Sequence, residues 1–219
     1  MARMGDGYGS EYHLLRFLEF HRDYLSDRVK HVTGAQSIDW ENHRLSEGEW
    51  KRLDFLSRDS MARKMWKEFW PTKGMPHNWD AIGRVVVEGK REWLLVEAKA
   101  HPGELKKRCT ASEGGGRPKI REALNQTKRD LGLQNGSDWL GDYYQHANRL
   151  AALNFMIQNG EPGRLLFVYF CGDKVPGKKC PEDEGRWSVA LAQQDKHLGL
   201  SNGHALTDRV HKIFVPVID

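Results

Sequence analysis

The stretch DAIGRVVVEGKREWLLVEAKA, Asp80 to Ala100, decides the fold. Two apolar runs, Asp80 to Val87 and Glu92 to Ala100, flank the tight turn Glu88-Gly89-Lys90-Arg91, which is the pattern of a β-hairpin. Val85, Val86, Val87, Trp93, Leu94, Leu95 and Val96 make both runs nearly continuous hydrophobic segments, as expected of inner strands covered on both faces. Side chains alternate along a strand, so Glu97 and Lys99 share one face while Leu94, Val96 and Ala98 fill the other. Asp80, at the start of the first run, then faces Glu97-Ala98-Lys99 at the end of the second.

Charge in that apolar setting needs a partner, because burying it alone is costly. A hard cation such as Mg2+, which keeps several waters and takes one or two carboxylates, suits Asp80 and Glu97, which otherwise repel each other. Lys99 faces the same point, where an ammonium orients water or stabilises developing negative charge. Glu-x-Lys recurs at Glu49, Glu88, Glu97 and Glu104, but only Glu97 ends an apolar strand that follows another strand led by an acid. The alternative is a pair of edge charges on a solvated hairpin.

Asp80, a gap of sixteen residues and then Glu97-Ala98-Lys99 resembles the active-site signature of the PD-(D/E)xK nuclease superfamily. The resemblance covers the hairpin and, more loosely, the order of elements from about residue 10 to 172. One departure is plain: Trp79, not proline, precedes Asp80. The fold it implies is α/β, a three-layer α/β/α restriction-endonuclease-like core with a mixed central sheet, here with an N-terminal helical insertion. The activity it implies is metal-dependent phosphodiester hydrolysis with Mg2+ or Mn2+. Asp80 and Glu97 would be metal ligands, the Ala98 carbonyl a third, and Lys99 the catalytic lysine. DNA is the implied partner, its duplex, single-stranded or branched form and endo- or exonuclease action left open, with a homodimer as one arrangement.

The N-terminal segment reads as an amphipathic helix, with Ser10 as N-cap and Leu14, Leu15, Leu18 and Leu25 at helical spacing. Glu11 falls on that apolar side. It is either an acid at the positive end of the helix dipole or, by resemblance to some superfamily members, an acid reaching the metal site. His21 is a second candidate on that basis.

Residues 36–78 read as a helical, Trp-rich insertion. Ser46-Glu47-Gly48-Glu49 has capping-box spacing, followed by a stripe of Trp50, Leu53 and Leu56. A further helix carries Met61, Met65 and Phe69 as its apolar face and stops before Pro71. Trp40, Trp50, Trp66, Trp70 and Trp79 are core candidates, or aromatic platforms for a nucleic-acid strand.

Downstream of Lys99, Lys106-Lys107-Arg108 and Gly114-Gly115-Gly116-Arg117 form either a basic flap over phosphates or a solvated connector. Pro118 opens a helix whose buried face is Ile120, Ala123, Leu124, Thr127 and Leu131. Lys119 and Gln126 share a flank, and many superfamily members carry Lys or Gln there. Lys106, Lys107, Arg108, Arg117 and Lys119 are thus candidate nucleic-acid contacts and Gln126 a candidate catalytic residue. Trp139 to Asn159 reads as a long helix and Arg164 to Cys171 as a buried strand. Trp187 to Leu198 is ambiguous, and His211 to Ile218 reads as a closing edge strand with Pro216.

The 219 residues suit one α/β domain spanning 1–219, and the net charge of +4 is compatible with nucleic acid. Cys109, Cys171 and Cys180 lack zinc-ligand spacing. No apolar run approaches the ~20 residues needed to span a bilayer, and the expected compartment is a reducing cytoplasm. A nuclease-like fold used only for binding remains the alternative function.

Overall fold

The computed structural model describes residues 7–41, 50–74, 77–133 and 136–218. In chain order the elements are α1 (Ser10–Phe20), α2 (Arg22–Thr33), β1 (Ser37–Trp40), β2 (Trp50–Lys51), α3 (Met61–Phe69), β3 (Asn78–Trp79), β4 (Ala81–Val87) and β5 (Lys90–Lys99). They continue with α4 (Arg117–Asp130), α5 (Tyr144–Gln158), β6 (Gly163–Cys171), α6 (Glu184–Leu198) and β7 (Val210–Pro216). The architecture is α/β: a five-stranded mixed sheet in the order β1-β4-β5-β6-β7, with β2 and β3 as a separate two-stranded pair.

The hairpin forms as its pattern dictates. β4 and β5 pair antiparallel from Ala81↔Val96 to Val87↔Lys90, joined through Glu88 (φ 50°) and Gly89 (φ 73°). Two consecutive left-handed residues match the twist of the strands they connect. β5 runs parallel to β6, and β6 to β7. A parallel neighbour requires a crossover, and α4 and α5 lie in the one between β5 and β6.

Period-two alternation divides β5 between two cores on opposite faces of the sheet. Leu94, Val96, Ala98 and Ala100 join Leu14, Phe17, Leu25 and Val29 of α1 and α2. Trp93 and Leu95 join Leu124 of α4, Leu150 of α5 and Trp187 of α6. Glu97 and Lys99 continue the second of these faces, toward the C-terminal end of the strand.

Several expectations change. Residues 36–78 are not the helical insertion expected: α3 is their helix among the described residues, Ser37–Trp40 is the edge strand of the main sheet, paired to β4, and Trp50–Lys51 pairs with Asn78–Trp79. The Trp50, Leu53, Leu56 stripe is therefore a short strand followed by turns, whose Leu53 and Leu56 still reach the core. The proposed capping box, Ser46 to Glu49, lies outside the described residues. In α3 the buried side is Ala62 and Trp66, while Met61 and Met65 are exposed; the indole, the largest apolar surface on the helix, takes the core. Gly9 caps α1, and Ser10 is its first residue, with its hydroxyl donated to Glu104 instead. The N-terminal helix also breaks at His21, and α5 begins at Tyr144, later than expected. The ambiguous segment is helical, as α6.

Candidate active site

Three elements bring the charged groups together. Asp80 immediately precedes β4: its amide donates to the Val96 carbonyl at 3.1 Å, and its Oδ2 accepts from the Ala98 amide at 2.7 Å. Glu97 and Lys99 come from the buried end of β5, at 1% and 5% exposure. Arg149, on α5, completes the set from across the crossover.

Arg149 was not singled out in the sequence, and it reorganises the reading of Glu97. Its Nε donates to Glu97 Oε2 at 2.8 Å and its Nη2 lies 2.7 Å from the same oxygen. Nη1 donates to Asn148 Oδ1 at 2.9 Å, Nη2 also to the Asn78 carbonyl, and the guanidinium lies over the Trp79 ring. The other oxygen, Glu97 Oε1, accepts from Lys99 Nζ, which also donates to the Ala98 carbonyl at 3.0 Å. Glu97 is therefore already paired twice. One signal did exist: Arg149 stands in the mostly apolar run ANRLAALNFM, and where such a helix is buried on all sides, as α5 is from Ala147 to Met156, a charge must find a partner inside the protein.

Burial and pairing set opposite titration behaviour on the two acids. For Asp80, burial and then repulsion by Glu97 push the pKa up to about 7, against Lys99, the Ala98 amide and Arg149. For Glu97, burial favours the neutral form, but Arg149 and Lys99 outweigh it and hold the carboxyl at about 2. Burial works against the Lys99 ammonium, and Glu97, Asp80 and Glu104 more than restore it, keeping its pKa above the ordinary lysine value. Glu104 was not anticipated either; it sits in the turn after β5.

The cluster opens on a cleft of about 730 Å3 that Asp80 and Arg149 help to line. Among its described lining residues Lys73, Lys107, Arg108 and Arg149 are cationic and Asp80 alone is acidic. His77 and Gln145 add polar groups. The Nε2 of His77 has no protein partner, and burial, followed by Arg149, lowers its pKa to about 3, so the ring is neutral.

The remaining sequence candidates divide. Lys107 and Arg108 line the cleft, with Arg108 also 2.6 Å from Asp142. Lys106 is exposed beside them without lining it. Arg117 is turned into its own loop, donating to the Cys109 carbonyl at 3.1 Å and pairing with Glu113. Lys119 donates to the Lys67 carbonyl of α3, and Gln126 is exposed, bonded to Asp130 and Arg129. Neither lines the cleft, because the α4 flank they share faces away from it. Glu11 is half-buried on the first turn of α1; Glu104 is a carboxylate from outside the hairpin that acts on Lys99. Trp40, Trp66, Trp70 and Trp79 are buried, as core residues should be, and Trp70 also forms part of the cleft wall.

No group of three or more His, Cys, Asp or Glu side chains placed to hold a metal occurs among the described residues. The donor set is nevertheless that of a hard cation: two carboxylates and one carbonyl, all oxygen. Lys99 Nζ touches two of these donors and is acted on by the third, so an ammonium stands where they converge. The residues thus fit Mg2+ or Mn2+ in kind, with an internal cation at the meeting point. No family model, curated protein or solved structure matches the chain.

Proposed function

We propose that this protein is a metal-dependent nuclease that hydrolyses phosphodiester bonds, with DNA as its substrate, on a three-layer restriction-endonuclease-like core. The observation that carries the reading is the placement of Asp80, Glu97 and Lys99 at the end of a buried hairpin, beside a cleft whose charged described lining residues are cationic except for Asp80. A polyanionic backbone is the ligand such a charge pattern recruits.

In this reading Asp80, Glu97 and the Ala98 carbonyl hold Mg2+ or Mn2+, which when bound polarises a phosphoryl oxygen and acidifies a water. Arg149 keeps Glu97 ionised and fixed in orientation from behind. Lys99 supplies a positive charge to the pentavalent, extra-charged phosphorus centre as it forms. Lys73, Lys107 and Arg108 draw the strand into the cleft.

A second reading is favoured by one observation: both oxygens of Glu97 are already paired with buried cations, Lys99 and Arg149, without any metal. That suits a module that binds nucleic acid without cutting it. The two are separated by incubating wild type and Lys99→Ala with Mg2+, Mn2+ or a chelator and a panel of end-labelled single-stranded, duplex, flapped and four-way-junction DNA plus RNA. The nuclease reading expects cleavage of at least one DNA form by wild type with metal only. Binding without cleavage selects the second reading, and neither binding nor cleavage removes both.

A further inference from the structure

Both cations at Glu97 are buried, yet they are held in different ways. Arg149 engages Oε2 alone, and its remaining donors and its ring-facing plane are fixed by Asn148, Asn78 and Trp79. Lys99 engages Oε1 and the Ala98 carbonyl, and it lies in the field of Asp80. A guanidinium locked in a planar fork does not exchange partners easily, whereas an ammonium on a flexible stem is a movable point charge. The site therefore holds one fixed cation and one exchangeable one.

We propose that the Lys99 ammonium is a built-in placeholder for a divalent cation, contacting or facing the same three oxygen donors, so that metal entry displaces Lys99 and leaves Arg149 in place. This rests on the metal-dependent reading above. Two like charges cannot share Glu97 Oε1 and the Ala98 carbonyl at hydrogen-bond distance. Metal and ammonium therefore compete, and Lys99 opposes binding of the ion that its own role in turnover requires. Glu104, a further carboxylate that acts on Lys99, gives the displaced ammonium a place to turn.

The test is Mn2+ titration calorimetry, without nucleic acid, on wild type, Lys99→Met and Arg149→Lys. Removal of the competitor is expected to tighten Mn2+ binding by Lys99→Met about tenfold or more, while Arg149→Lys, which leaves the placeholder in position, gains no affinity. Should Lys99→Met fail to fold, wild type labelled with carbon-13 lysine reads the same event: the Lys99 Cε resonance moves and saturates as Mg2+ is added. Unchanged or weaker Mn2+ affinity in Lys99→Met, with binding by wild type, overturns the placeholder and leaves the metal reading standing. So does an unmoved Lys99 resonance under saturating Mg2+. Absence of Mn2+ binding in wild type and Lys99→Met alike overturns both.

Discussion

β5 carries two buried glutamates, and each is held by two cations, one on each carboxylate oxygen. At one end Glu92 accepts from Arg164 at 2.7 Å and Arg209 at 3.2 Å. At the other, Glu97 is gripped by Arg149 and Lys99. The first cluster closes on itself, since Arg164 goes on to the Asp208 carbonyl and Arg209 to that of Gly163. The second adds another carboxylate, Asp80, and opens on the cationic cleft. A doubly paired buried glutamate is thus equally a staple or part of a site. What separates them is an extra acid next to a cavity, and that is a property of the surroundings rather than of the ion pair.

The widest separation between the two ends is expected in turnover. Asp80→Ala, Glu97→Gln and Lys99→Ala should each lower Mg2+-dependent cleavage by about a thousandfold or more, whereas Glu92→Gln should leave the rate of the folded enzyme close to wild type. Equal losses at Glu92 and Glu97, in the same end-labelled assay, would erase the distinction.

Stability should separate the clusters next. Arg149→Met strips Glu97 of one of its two buried cations and is expected to cost about 3–5 kcal/mol in denaturant unfolding. Arg209 is about a third exposed, and Arg209→Met should cost about 1 kcal/mol or less. The hairpin alone sets Glu97 against a like charge, Asp80, but repulsion is not its dominant contact. With two buried cations depending on it, Glu97→Ala should destabilise.

The pH profile sharpens the contrast between Asp80 and Glu97. Folded Asp80 keeps its proton to about 7 against an ordinary 3.8, so the native state binds the extra proton and stability falls as pH rises across that window. Glu97 runs the other way: at about 2 against 4.5, its contribution is present above 4.5 and lost as pH falls toward 2. Stability from this pair peaks between the two limbs, and Asp80→Asn should remove the falling limb. Its gain over wild type should be roughly 4 kcal/mol at pH 8 and well under 1 kcal/mol at pH 4. Unfolding curves at the two pH values decide it, and a parallel shift at both would place the effect elsewhere.

The smallest effect concerns the cleft wall. Lys107→Gln and Arg108→Gln should each flatten the slope of log affinity against log salt for DNA by about one unit, evenly across sequences. Arg117→Gln and Lys119→Gln, whose cations are turned to carbonyls, should leave the slope unchanged. A slope that responds to all four would return the whole loop to the interface.

The hairpin half of the site was legible because it is local. Alternation over ten residues fixes which face Glu97 and Lys99 share, and the Glu88-Gly89 turn fixes the register that brings Asp80 to Ala98. The rest depends on contacts that no local pattern encodes. Arg149 reaches Glu97 only through the placement of α5 over the sheet. β1 is four residues long, too short for alternation to stand out, and its Trp40 is buried by the fold rather than by its neighbours in sequence. In α3 two methionines outvoted one tryptophan in the apolar count, although the indole had the larger claim on the core. Lys119 and Gln126 were placed by analogy to a flank that this α4 turns outward.

The span of chain that each contact closes has a consequence for how the protein is made. Asp80 meets Ala98 across 18 residues, whereas Arg149 meets Glu97 across 52. The short hairpin closes in microseconds, and the parallel crossover that delivers α5 must wait for a longer and slower search. In the interval the two carboxylates already face each other without the guanidinium that later offsets them. Lys99, local to the same hairpin, is then the companion that travels with them from the start, a chaperone in miniature for a pair of charges that would otherwise hold the nascent sheet apart.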